Sequence, residues 1–175
     1  KNRFRRLFFG SDVMKDAIII PKMVELAELI DYTPIDITFL QNAMYCQIIH
    51  KDGDGKNRKN YTNDNYATLG DAILKFILAE YLFDKGCDKA EITKKKQTLE
   101  DNNTLFDLCN TSKIFKYAYN DMYFSDNAPP EKRVYHSNHD VYIEAIIAAI
   151  YKDKGFEYCK EWVIAFFQRY GILYD

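Results

Sequence analysis

No apolar run in the 175-residue chain approaches the ~20 residues needed to cross a bilayer, and the basic start Lys1–Arg6 precedes no signal-like apolar segment. The expectation is a soluble, intracellular protein without a membrane anchor, with cytoplasm and nucleus equally open. Cysteine is scarce and dispersed. Cys46, Cys87, Cys109 and Cys159 form no C-x-x-C pair, and no histidine stands at zinc-ligand spacing, so the four are read as buried, reduced thiols rather than a zinc ribbon. Excess positive charge is also lacking. With 24 Lys and Arg against 26 Asp and Glu the net charge is −2, so any contact with nucleic acid has to be local. There is no internal repeat, no low-complexity tract and no convincing strand alternation.

What the chain does have is 47% hydrophobic and 29% charged residues, a globular balance, in a length that fits one domain or one domain with a helical extension. Helical periodicity runs through most of it. Met23, Leu26, Ala27 and Ile30 form one stripe in residues 13–30, where Pro21 predicts a split into two helices. A helix over residues 36–49 follows, capped by Asp36 or Thr38 and carrying Phe39, Leu40, Ala43, Met44 and Ile48. Residues 50–65 are polar, contain Asp52-Gly53-Asp54-Gly55 and read as a mobile loop. The dense pattern of residues 66–83 predicts a mostly buried central helix ending near Gly86. More polar helical segments follow at 91–108, with a break near Asn102 and Asn103, and at 111–119. Residues 121–138, with Pro129 and Pro130, read as loop, and Gly155 separates two final helices at 141–151 and 156–170. The predicted fold class is all-α, with an N-terminal helical extension over 1–35 and the main domain over 36–175.

Two charges interrupt apolar helices. Asp71 lies within L-G-D-A-I-L-K-F-I-L and Glu144 within V-Y-I-E-A-I-I-A-A-I-Y. An unpaired charge buried at either place would cost on the order of several kcal/mol, so a cation partner, a helix N-terminus or a metal ion has to compensate it. Each has an acidic companion. Asp140 stands four residues before Glu144 and therefore on the same helical face, and Asp64 stands seven before Asp71. Carboxylates gathered from two helices suit a hard cation, magnesium or manganese, and with it metal-assisted phosphoryl transfer. Basic clusters occur at Arg3, Arg5 and Arg6, at Lys51, Lys56, Arg58 and Lys59 diluted by Asp52 and Asp54, and at Lys94, Lys95 and Lys96. Plain solvated charge is the alternative reading for each of them.

Taken together these residues resemble the ribonuclease III family. N-D-N-Y-A-T-L-G-D-A-I-L, residues 63–74, is similar to the family signature N-E-R-L-E-F-L-G-D-A-V-L. E-I-T-K-K-K-Q-T-L-E-D-N-N-T-L, residues 91–105, is similar to a stretch reading E-L-T-K-L-R followed by N-E-T-L. E-A-I-I-A-A-I-Y-K-D-K-G-F, residues 144–156, is similar to E-A-L-I-G-A-I-Y-L-D-S-G-F. The paired first and third elements are specific together, and the likeness extends over roughly residues 36–168.

The resemblance implies a helical, dimeric endonuclease domain that hydrolyses double-stranded RNA with Mg2+ or Mn2+ and leaves 5′-phosphate and 3′-hydroxyl ends, in RNA processing or Dicer-like small-RNA production. It implies that Asp71 and Glu144 are the catalytic metal ligands, with Asp140 assisting. Asp64 takes the place of the signature's first Glu, and Glu91 joins it among the acids near the cleft. Lys94, Lys95, Lys96, Arg58 and Lys59 become candidate RNA contacts, since no double-stranded RNA binding domain is visible in the sequence. Two positions depart from the pattern. The second signature Glu falls on Ala67, and the Asp normally three residues before the Glu falls on Val141, with Asp140 displaced by one. Ala67 fits an engineered inactivation, a natural minimal site like that of the Mini-III branch, or a decayed enzyme. A non-catalytic relative that binds RNA or pairs with an active partner is therefore the alternative function. An HD-type phosphohydrolase built on His136, His139 and Asp140 is a weaker rival, because the remaining histidine, His50, falls in or beside the polar loop.

Overall fold

The computed structural model describes residues 17–45, 48–51, 57–60, 63–119 and 142–174. They form helix α1 (residues 17–29), α2 (Ile37–Met44), a ribbon of β1 (Ile48–Lys51) and β2 (Asn57–Asn60), then α3 (Asp64–Asp84), α4 (Lys89–Leu99), α5 (Asn102–Thr111), a 3-10 turn (Ile114–Tyr117), α6 (Tyr142–Lys154) and α7 (Phe156–Arg169). The domain is helical, as the periodicity predicts. Helix α6 is its axis, with every residue from Tyr142 to Ile150 buried except Glu144. Helix α3 lies against it in the largest helix–helix contact of the fold, and α2 and α7 cover further sides. Such enclosure is why α6 lacks a polar face: a helix surrounded by neighbours has nowhere to place one.

Three sequence expectations are corrected. Helix α1 runs straight through Pro21, which forfeits one backbone hydrogen bond while Ile19, Met23, Leu26 and Ala27 stay buried on one stripe. Those residues belong to the same core cluster as α3, α6 and α7. Helix α2 stops at Met44 instead of reaching residue 49, although its cap is as expected, Asp36 accepting from the Thr38 amide at 2.9 Å and hydroxyl at 2.7 Å. The antiparallel ribbon occupies the end of that predicted helix and part of the segment read as loop, with Ile48 opposite Asn60 and Lys51 opposite Asn57. Strands of four residues leave too few positions for alternation to be read. The predicted break at Asn102 and Asn103 appears between α4 and α5, where Asp101 caps α5 through the Asn103 amide at 2.9 Å. The predicted loop 121–138 lies outside the described residues.

Cys109 and Cys159 are buried thiols outside any disulfide, and burial pushes the Cys159 thiol up to about 12, which leaves it inert. Cys87 is free but only half-buried, so the expectation that all four thiols are interior fails there; Cys46 is outside the described residues.

The turn from α6 to α7 carries a structural acid. Gly155 has φ of 84°, a conformation open to glycine at little cost, and two residues earlier Asp153 reaches back to the α1–α2 connection. Its carboxylate accepts from the Ile35 amide at 2.7 Å, the Asp36 amide at 2.8 Å and the Tyr32 hydroxyl, whose own proton is held tightly by burial and then by Asp153. Trp162 of α7 adds a second tie, donating to the Ile30 carbonyl at 2.8 Å. Asp153→Ala removes three acceptor contacts at once and is expected to cost about 2 kcal/mol in urea denaturation, with Asp153→Asn recovering part of it. A loss below about 0.5 kcal/mol would mean that the tie is ornamental.

Candidate active site

The site begins with a glycine. A Cβ on Gly70 would sit 1.7 Å from the Glu144 carbonyl oxygen and 2.5 Å from its carbon, so the backbones of α3 and α6 touch where only hydrogen fits. The residue after the glycine, Asp71, turns about 100° around the helix and emerges at the edge of that crossing. Across it, Glu144 occupies the first turn of α6, flanked by the buried Ile143 and Ala145. The helix N-terminus favours a negative charge there, which is one reason a carboxylate is tolerated on an otherwise apolar helix. The two acids that interrupted the apolar pattern are therefore neighbours, and the close crossing at Gly70 is what makes them so.

The electrostatics of Glu144 register the crowding. Burial, then the negative charge of Asp71, pushes the Glu144 carboxyl up to about 7; Lys75 pulls the other way, and a hydrogen bond to Asp71 adds to the rise. Lys75, one turn beyond Asp71 on α3, donates to Asp71 Oδ2 at 2.7 Å. That pair holds the Lys75 ammonium above its ordinary range, with help from the charges of Glu100 and Glu144. Lys75 supplies the cation partner that such a charge calls for, although the apolar patterning does not single this residue out. Its signal was the i, i+4 spacing from Asp71, which places an ammonium beside the carboxylate on any helix.

The other candidates divide. Asp64 begins α3 as an exposed first-turn acid two turns from Asp71, and Ala67 between them is buried at 5% exposure. Asn63, ahead of them, is buried and ties the start of α3 to α2 by donating to the Ala43 carbonyl at 2.9 Å. Asp140, Val141, His136 and His139 lie outside the described residues. Glu91 has a different occupation. It closes a capping box with Asp88 at the start of α4, accepting from the Asp88 amide at 3.0 Å, and it lines a cleft near the far end of α3 together with Tyr81, Lys94 and Tyr174. Of the α4 lysines, Lys96 is bound to both oxygens of Glu100 at 2.9 Å and Lys95 leans on Cys87 at 3.4 Å and Glu91 at 4.0 Å. Lys94 is exposed, with no ion pair among the described residues. Arg58 and Lys59 stand on β2 opposite His50 and Ile49.

Among the described residues no group of three or more His, Cys, Asp or Glu converges to hold a metal ion. Asp71 and Glu144 form a pair. Two adjacent carboxylates, one with its proton affinity raised by burial and then by the other, fit a hard cation, which takes oxygen donors, keeps several waters and relieves the repulsion between them. No helix among the described residues is long and apolar enough to cross a membrane.

Comparison with known proteins bears on the family and the fold. The chain is 30% identical over 115 residues to Ribonuclease 3 of Campylobacter jejuni, a match covering 65% of this chain and 50% of that protein. It is 23% identical over 164 residues to Ribonuclease 3 of Flavobacterium psychrophilum, covering 91% and 61%, and 32% identical over 104 residues to that of Clostridium kluyveri, covering 58% and 41%. The chain thus spans about half the length of these curated relatives. Two solved structures of the nuclease domain of the C. jejuni ribonuclease III superpose with TM-scores of 0.64 and 0.66 at 23% and 24% identity, covering 85% and 86% of this chain and 97% and 96% of theirs. One of the two is described for structural flexibility in a region involved in dimer formation. The model of the Ribonuclease-III-like family matches residues 41–170, which include the Gly70 crossing and both acids. With most of its length matched by that model, this chain belongs to the ribonuclease III-like family.

Proposed function

We propose that this domain is a double-stranded RNA endonuclease whose chemistry depends on a divalent metal held by Asp71 and Glu144. The observation that carries the reading is the α3–α6 crossing, where a glycine without a Cβ brings two carboxylates from different helices together. Asp140 is the third ligand in this reading. Magnesium, or manganese in its place, supplies Lewis acidity for hydrolysis of a phosphodiester to 5′-phosphate and 3′-hydroxyl ends. Asp71 and Glu144 fix the cation, and Lys75 balances their charge. RNA processing or small-RNA production are the settings that suit such an activity.

We further infer a homodimer. Leu69, Phe76 and Phe83 recur at seven-residue intervals on α3 with 37%, 56% and 72% exposure, an apolar stripe on the helix that carries Asp71. A twofold pairing along it sets two sites against one duplex. Lys94, the least encumbered lysine of its cluster, supplies phosphate contact, with Lys95, Lys96, Arg58 and Lys59 as further candidates; binding of this kind recognises shape and weakens steeply with salt.

A second reading, a non-catalytic partner that binds RNA or dimerises, is favoured by Ala67, which stands where the family pattern has a carboxylate and leaves two acids paired among the described residues. One experiment separates them. Duplex RNA incubated with the protein and magnesium should be cut, cutting should stop with a chelator, and Asp71→Asn should abolish it. Binding without cutting selects the second reading, and metal-dependent cutting that survives Asp71→Asn removes Asp71 from the mechanism.

A further inference from the structure

Resting on the reading that Asp71 and Glu144 hold a divalent cation, we propose that Lys75 is a resident counter-cation of that site and that a metal ion has to exchange against its ammonium. Lys75 touches Asp71 Oδ2 at 2.7 Å, a contact made by one of the two carboxylates that the metal needs. Along this face of α3, at four-residue steps, the residues are Ala67, Asp71 and Lys75, a methyl, an acid and a cation. With both carboxylates ionised, as a bound dication requires, the two acids and one ammonium carry one net negative charge, against two if Lys75 were neutral. A dication entering beside Asp71 therefore meets a weaker field and a neighbour of its own sign.

The displaced ammonium has somewhere to go. Lys75 is exposed over 46% of its side chain, so its flexible stem swings into water without exposing apolar surface. Glu100, at the end of α4, lies close enough for its charge to act on Lys75 and offers a second carboxylate, although Lys96 already occupies both of its oxygens. Lys75 is thus a positioning residue. It holds the Asp71 carboxylate while the metal is absent and sets how strongly metal binds.

The test is manganese binding to the whole protein, followed by the electron paramagnetic signal of free Mn2+, for wild type, Lys75→Met, Lys75→Arg and Asp71→Asn. A unit charge ~5 Å from a dication in a largely aqueous setting changes its binding about tenfold, so Lys75→Met should bind manganese about tenfold more tightly. Lys75→Arg, which retains the charge, should stay within about twofold of wild type, and it is the tightening in Lys75→Met alone that a purely structural role for the lysine would not produce. Because Lys75 is exposed, a melting curve suffices to verify that the variants are folded. If Asp71→Asn abolishes binding while Lys75→Met leaves it unchanged or weaker, the metal site stands and the counter-cation role is overturned. If Asp71→Asn leaves binding intact, the metal site itself falls, and the role of Lys75 with it.

Discussion

Gly70→Ala is expected to destabilise the domain by about 3 kcal/mol or more, the upper end of what an overpacked interior position costs. The reason lies in the kind of atom that the new methyl meets. A clash with a side-chain tip is relieved by rotation, but here the obstacle 1.7 Å away is the Glu144 carbonyl, fixed in the α6 backbone. Relief requires α3 and α6 to separate by about 1.5 Å, and close-packed interiors yield to such shifts only by losing contact along the whole interface. Ile73, Leu74 and Ile77 on α3 and Ile143, Ile146 and Ile147 on α6 would all lose neighbours. Urea denaturation is the measurement. A change below about 1 kcal/mol would mean that the helices do not meet as closely as described. Any fraction of the variant that folds should also bind metal poorly, because the same separation parts Asp71 from Glu144.

The second large effect joins stability and chemistry in one side chain. Glu144 holds its proton up to a pKa of about 7, against 4.5 ordinarily. The folded state therefore binds the proton more tightly than the unfolded chain. Below pH ~4.5 both states are protonated and the benefit is complete; between there and pH ~7 the unfolded chain ionises first and stability falls; above that the fold bears the full penalty. Solvent reaches part of this carboxyl, so the unscreened value of about 3 kcal/mol is discounted to about 1–2 kcal/mol. Metal-free wild type should lose that much between pH ~5 and pH ~8 in excess of Glu144→Gln, which cannot ionise. The variant is expected to be the more stable protein at pH ~8 and a far poorer nuclease. Outer partners of metal ligands are worth about 10–100-fold in activity or affinity, so if Glu144 has the ligand role proposed for it, its loss should reduce cleavage at least about 100-fold. Equal stability at high pH, or cleavage retained, would contradict this role for Glu144.

The helices and the two central acids were legible in the sequence for one reason. A charged residue in an apolar stripe violates helical patterning, and Asp71 and Glu144 both did so, in segments long enough for the period to be unambiguous. Other features left weaker traces. Gly70 is one small residue in a helical pattern, and its purpose appears only when α6 arrives from 74 residues away in the chain. The resemblance puts Glu91 among the acids near the cleft, and its contacts are those of a helix cap, a role that Asp88 three residues earlier announces through the capping-box spacing. Asp153 sits in the same motif as Glu144 yet ties the backbone of a distant connection, a partnership that no local pattern reveals. The short ribbon was hidden because its four-residue strands, I-I-H-K and N-R-K-N, are too short to show alternation. Pro21 misled in the opposite direction, since local chemistry predicts a break that buried neighbours on both sides override.

Substoichiometric Mn2+ added to the isotope-labelled protein broadens the amide resonances nearest the bound ion. Loss of signal concentrated at residues 70–72 and 143–145, reversed by excess Mg2+ and absent in Asp71→Asn, is the predicted outcome. Sharp resonances at both segments while signals elsewhere vanish would contradict it.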